Sequence, residues 1–445
     1  DLHSFPTRRS SDLQLGDFMD FKKMSLESLC VQGGYEAKNG EPRVTPIVQS
    51  TTYKYDKASD LADIFDLKAN GFMYSRLGSP TLSVLEEKVA LLEGGVGALC
   101  TASGQSATLF SIINICKSGD NFLALNNLYG GTHTLFNAAL RNLGIEVRYV
   151  SPKDSVEEMM FKADGRTRLI FGETIGNPTL DVLDFGKISK VAKKLDIPFI
   201  VDNTFATPFL CRPFDFGANI IVHSSTKYID GHATSIGGII VDGGNFNWDN
   251  GKYPELTKPD VNYHGIKYLE TFGNSCYIVK ARAGLMRDFG AIMSPFNAFL
   301  TNLGCETLHL RMEKHSENAL KVANYLKNHP KISWIKYPFL ENSNSYELAQ
   351  KYLKGGSGVV TFGVKGGVKG AQTFIDNMNF ATLVTHVGDL RTHALHPAST
   401  THRQLSEEQM IKSGIKGDMV RFSVGIESID DIIADLEQAL SKVNL

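Results

Sequence analysis

Along this chain apolar residues keep two rhythms, and the alternation between them carries the first structural reading. Over 80–93, Leu82, Leu85, Val89 and Leu92 recur every three or four residues and Gly94 follows, which predicts a helix with its stop. Short unbroken apolar runs predict buried strands at 96–100, 122–125, 146–150, 169–173, 198–202, 219–223 and 238–241. Helical spacing covers 104–115, 132–143 and 185–195 between them. Such alternation builds βαβ units, so the predicted fold class is α/β, with a mainly parallel sheet covered on both faces.

The flanks read differently. Residues 25–79 are irregular, with Pro42 and Pro46, and too polar to form a core of their own, so they are predicted to pack on something else. A polar, aromatic-rich insertion at 242–274 is of the length that is usually functional or interfacial. Beyond Arg311 the pattern predicts a helix at 312–327 and apolar strands at 358–364 and 419–424, each with a helix after it. The last helix is predicted to start on a capping pair, Ser428 and Asp431, and shows Ile429, Ile432, Ile433, Leu436 and Leu440 on one face. The expected organisation is a disordered leader or cloning scar at 1–23, with Met19 or Met24 as the natural start. An arm at 24–79, a large sheet domain at 80–307 and a smaller α+β C-terminal domain at 308–445 follow.

Composition narrows the function classes. A chain of 445 residues, 42% hydrophobic and 21% charged, is too long for one ordinary core and suits a soluble protein of more than one domain. Its longest apolar runs, such as 236–241, fall far short of the roughly 20 residues a bilayer requires. A net charge of −2 with both signs scattered offers no stripe for nucleic acid. The 6 cysteines are dispersed without short pairings, as expected for reduced core residues of a cytoplasmic protein.

The candidate chemistry sits at strand ends. The run at 219–222 breaks into His223-Ser224-Ser225-Thr226-Lys227, Asp202 ends the run at 197–201, and Ser103-Gly104-Gln105-Ser106 follows 96–99. Open α/β sheets bind their ligands at the carboxyl ends of strands. A carboxylate after five apolar residues needs a cation, and a glycine-rich helix start favours an anion. A lysine, a carboxylate and an anion-binding turn together are the kit for pyridoxal 5'-phosphate (PLP). Lys227 would bond the cofactor covalently and Asp202 would pair with its ring nitrogen. The turn, with the Ser224 and Thr226 hydroxyls, would hold the phosphate.

Ser103-Gly104, Tyr129-Gly130-Gly131-Thr132, Glu173 to Pro178, Val201-Asp202-Asn203-Thr204 and His223 to Tyr228 stand in the order and spacing of the Cys/Met-metabolism PLP enzymes. The chain resembles this cystathionine γ-synthase-like family from about Ser25 to its end. The resemblance implies PLP-dependent transferase fold type I and a homotetramer built from dimers with shared active sites. It implies that Ser103, Gly104, Gln105, Thr204, Ser224 and Thr226 surround the cofactor with Lys227 and Asp202, and that Tyr129 stacks on its ring and assists proton transfer. Asn177 is implied to reach its phenolic oxygen. Tyr74 and Arg76 are implied to cross to the neighbouring subunit's phosphate, with Tyr74 also near substrate, and Arg421 to take the substrate α-carboxylate. His386 stands where the family often carries Ser or Asn as a second carboxylate contact.

The family divides among γ-replacement, γ-elimination and β-elimination. Methionine γ-lyases typically have Cys where this chain has Gly131, whereas the stretch at 259–265 and the ending at 400–404 resemble O-acetylhomoserine sulfhydrylases. The resemblance therefore points to O-acetylhomoserine and sulfide as small-molecule substrates, with cystathionine γ-synthase or lyase-type elimination as the alternative. The insertion at 242–274 and the segment at 396–404 are expected to wall the site against water. His386, His393, His396 and His402 match no zinc spacing, so no metal is expected.

Overall fold

The structure, a computed structural model, describes residues 20–400, 403 and 414–444. The predicted leader, up to and including Met19, lies outside these residues, as do Thr401, His402 and Gln404.

A seven-stranded sheet forms the larger part, built from β1 (Gly97–Thr101), β2 (Asn121–Leu125), β3 (Glu146–Val150), β4 (Thr167–Glu173), β5 (Phe199–Asp202), β6 (Ile220–His223) and β7 (Gly238–Asp242). Its order is β1-β7-β6-β5-β4-β2-β3. The five strands β3, β2, β4, β5 and β6 run parallel, while β7 is antiparallel to both its neighbours. Helices cover both faces, which is why these strands read as continuous apolar runs: Leu123, Ile170, Ile200, Ile220 and Ile240 are all fully buried.

Helix boundaries follow local chemistry. The helix Pro80–Glu93 starts on Ser79, whose hydroxyl accepts from the Leu82 amide at 3.4 Å, with Pro80 in the first turn. It stops at Gly94 in the left-handed region, φ 79°. The helix predicted over 132–143 begins earlier, at Gly130, and widens to a π-helical turn over Leu135–Leu140. A short helix at Val156–Phe161 was not predicted, although its Ser155 and Glu158 form a reciprocal capping box readable as Ser-x-x-Glu.

The second sheet, in the order β10-β11-β12-β9-β8, comprises β8 (Ile332–Lys336), β9 (Val359–Val364), β10 (Thr382–Leu383), β11 (His393–Leu395) and β12 (Met419–Ser423). It packs its own core, with Val360, Phe362, Phe374, Val420, Phe422 and Leu436 buried together. One helix, Leu308–Lys327, joins the two cores: Leu308 and Met312 belong to the first, Ala319 to Leu326 to the second. The predicted capping of the last helix does not form. Ser428 occupies the cap position without a side-chain bond, and the first-turn carboxylates Asp430 and Asp431 face the positive end of the helix dipole instead.

Candidate active site

Three parallel strands end side by side and each delivers one group. Glu173 ends β4, Asp202 ends β5 in register with it, and β6 ends at His223 just before Ser224 to Lys227. From the other side, β12 presents Arg421 and the segment after β10 presents His386. These elements enclose a cavity of about 240 Å³. Ser103, Gly104, Gln105, Tyr129, Asn177, Asp202, Thr204, Ser224, Thr226, Lys227, His386 and Arg421, all singled out from sequence, line it together.

Tyr74 and Arg76 do not reach this cavity. The Arg76 guanidinium lies 5.2 Å from the centre of the Tyr74 ring and donates to the Arg287 carbonyl, on a stretch tied down by the Thr52–Tyr74 bridge. The insertion at 242–274 does not line this chain's own cavity either, and its Tyr263 and His264 lie beside Phe65, Met73 and Leu77 of the arm that carries Tyr74 and Arg76. Because β7 runs antiparallel, Asp242 pairs with Ile220 and Gly97, the first residues of β6 and β1, and the chain leaves at the opposite end of the strands. There Trp248 stacks on Tyr277, and the Tyr253 hydroxyl donates to the Arg168 carbonyl at 2.7 Å. From the other expected wall, Pro397 does line the cavity.

Burial sets the charges. Desolvation pushes the Asp202 carboxyl above its usual range, opposed by hydrogen bonds from Thr204, whose amide donates at 2.9 Å. Burial also pulls the Lys227 amine down to about 8, with the Arg421 charge second, and Arg421 itself down to about 10. The Arg421 guanidinium donates to Asn177 Oδ1 at 3.3 Å and to the His386 carbonyl at 3.0 Å, with no carboxylate paired to it among the described residues. His386 Nδ1 lies 3.2 Å from Lys227 Nζ.

Sequence reasoning missed Glu173 as a site residue. Its Oε1 accepts from the Tyr129 amide at 2.7 Å and its Oε2 from the Asn177 amide at 3.2 Å, so one buried carboxylate pins the loops carrying two cavity side chains. Desolvation and the neighbouring Asp202 charge push its pKa well up. The signal was present, since Glu173 ends an apolar strand just as Asp202 does.

The residues fit PLP on their own geometry. A buried carboxylate raised by desolvation is a place for a cationic ring nitrogen. Gly104 opens the helix Gly104–Ile113, where the first backbone N–H groups have no intrahelical partner, and a Cβ built on it would lie 2.6 Å from Ser224 Cβ. Only glycine lets the helix start and the lysine loop approach this closely, a shape that suits a phosphate. The buried Arg421, with no counter-charge paired to it among the described residues, suits a carboxylate.

Comparison with known proteins agrees with this geometry. Residues 27–441 match the model of the Cys/Met metabolism PLP-dependent enzymes. The chain is 46% identical to the O-acetyl-L-homoserine sulfhydrylase of Leptospira meyeri, over 94% of this chain and 97% of that one. It is 42% identical to the homocysteine synthase of Schizosaccharomyces pombe, over 95% and 99%. A crystal structure described as an O-acetylhomoserine (thiol)-lyase from Campylobacter jejuni, carrying N'-pyridoxyl-lysine-5'-monophosphate, superposes with a TM-score of 0.91 at 38% identity, covering 94% of this chain and all of that one. A match across nearly the full length, with the strand-end lysine, carboxylate and anion cradle in one cavity, means that this chain belongs to the Cys/Met metabolism PLP-dependent enzyme family.

Proposed function

We propose that this protein catalyses γ-replacement, turning O-acetylhomoserine and sulfide into homocysteine and acetate. The observation that carries the proposal is the convergence of Lys227, the buried Asp202 and the buried Arg421 in one cavity, in a chain whose relatives are named for that chemistry. Bound PLP supplies an electron-withdrawing ring that weakens bonds at the carbon bearing the substrate amine. Arg421 takes the α-carboxylate with a planar donor set that is already desolvated. Lys227 would hold the cofactor covalently, and its free amine would move protons at Cα and Cβ. Tyr129, its loop pinned by Glu173, would flank the ring. Acetate leaves Cγ and sulfide takes its place.

Gly131 supports replacement over elimination of methionine. A Cβ there would lie 2.5 Å from Tyr129 Cε1 and 2.6 Å from Gln105 Nε2, so a cysteine would push the tyrosine ring from its position. In this reading Tyr74 and Arg76 serve the phosphate of a neighbouring copy within a homotetramer built from dimers. Six free, buried thiols suit the reducing cytoplasm.

The test is a product assay on the PLP-loaded protein. With O-acetylhomoserine and sulfide, homocysteine should form faster than 2-oxobutyrate, and omitting sulfide should leave only slow 2-oxobutyrate release. Rapid 2-oxobutyrate and methanethiol from methionine, with no homocysteine from the acetyl ester, would overturn the assignment.

A further inference from the structure

His386 uses its ring unlike the histidines around it. His393 Nδ1 contacts the Arg391 carbonyl at 2.8 Å, and His396 bonds both the Ser399 hydroxyl and the Gly417 carbonyl, so those rings tie chain to chain. The His386 ring instead reaches Lys227 Nζ at 3.2 Å through Nδ1, and its Nε2, like that of His393, is buried without a hydrogen-bond partner among the described residues. Burial, and after it the Lys227 charge, pulls its pKa down to about 4, so at neutral pH the ring is uncharged. A buried imidazole with one nitrogen unsatisfied, spending the other on a lysine, contributes little to holding the fold.

We propose that His386 is a positioning residue whose Nδ1 accepts a hydrogen bond from the Lys227 amine, aiming that base and strengthening it. This rests on Lys227 being the proton-moving base, not on which substrate the site takes. For Nδ1 to accept, the neutral ring carries its proton on Nε2. A neutral amine has two N–H bonds and one lone pair. With one N–H committed to Nδ1, the lone pair is turned from the imidazole and left free for the substrate. When Nζ takes the Cα proton, the C–H electrons stay with the substrate carbon and the electron-withdrawing group attached to it. Nζ becomes an ammonium, and its bond to Nδ1 becomes charge-assisted and stronger. The acceptor therefore favours the protonated lysine and raises its basicity, against the burial and the Arg421 charge that depress it. The other ionisable groups that share the cavity, Asp202, Glu173 and Tyr129, are common to every variant below.

Two variants separate the acceptor from the space it fills. His386→Phe keeps a flat ring without an acceptor, and His386→Asn keeps an acceptor oxygen close to the Nδ1 position. Apoprotein mixed with PLP across a pH series reports lysine basicity through the absorbance of covalently captured cofactor. The midpoint of the capture rate should fall by about one pH unit in His386→Phe and stay near wild type in His386→Asn. In D2O, the loaded enzyme should exchange the α-hydrogen of L-2-aminobutyrate, which has no leaving group, about tenfold more slowly in His386→Phe than in either wild type or His386→Asn. If His386→Phe does not fold, His386→Ala gives the same readouts. An unchanged midpoint and exchange rate in the acceptor-free variant would overturn the proposal, as would equal losses in Phe and Asn. Lys227→Ala in the same capture assay tests the underlying reading separately, because covalent capture there would remove Lys227 itself from its role.

Discussion

Replacing Arg421 by methionine should separate stability from substrate recognition. The residue lies in β12 between buried Val420 and Phe422, and spends its donors on Asn177 Oδ1 and the His386 carbonyl. Burial brings its pKa from the usual value above about 12 to about 10. A cation whose folded-state pKa is depressed costs stability at every pH below that value, and the cost fades only as pH rises through 10. A shift of that size corresponds to about 3 kcal/mol. Two hydrogen bonds from a charged donor return about 1.5 kcal/mol each. The terms nearly cancel, and methionine restores a chain of similar length with no charge to desolvate. Urea unfolding of the apoprotein should therefore fall within about 1 kcal/mol of wild type. Recognition should suffer far more, because a carboxylate deprived of its buried guanidinium loses about 3 kcal/mol, lowering kcat/KM about a hundredfold. The assay pairs an amino acid substrate with its amide, which lacks the negative charge, and the amide should be handled alike by both proteins. Loss of about 3 kcal/mol or more of stability would make Arg421 a structural strut. An equal fall for acid and amide would refute the carboxylate contact.

Two further outcomes are expected. Gly104→Ala should retain the fold but lose PLP affinity, read by cofactor titration, because the new Cβ would come within 2.6 Å of Ser224 Cβ at the phosphate cradle; wild-type affinity would mean that the helix start and the lysine loop are not packed as described. Arg76→Ala and Lys227→Ala, each inactive, should regain part of the activity when unfolded and reassembled together, since a mixed dimer holds one site with both defects and one with neither. Efficient mixing without recovery would refute a contact between Arg76 and the neighbouring copy's site.

What the sequence determined by itself is whatever depends on local pattern. The strand runs that became β1 to β7, the helix from Pro80 to the Gly94 stop, and the lysine, carboxylate and glycine turn at strand ends were legible because burial on both sheet faces forces unbroken apolar runs that stop where polar chemistry begins. The motif spacing also carried the family resemblance. What only the tertiary structure decided depends on direction and on contacts distant in sequence. Strand direction is invisible in an apolar run, so β7 read like its neighbours, yet its antiparallel course sends the 242–274 insertion to the opposite end of the strands, away from this chain's own cavity. Glu173 reads as one more strand-end acid until its carboxylate is seen bridging the Tyr129 and Asn177 amides, 44 residues back and 4 ahead. His386 and Lys227 stand 159 residues apart, and no periodicity records that one ring nitrogen meets that amine. That pairing exists only because the second sheet packs its loops over the strand ends of the first.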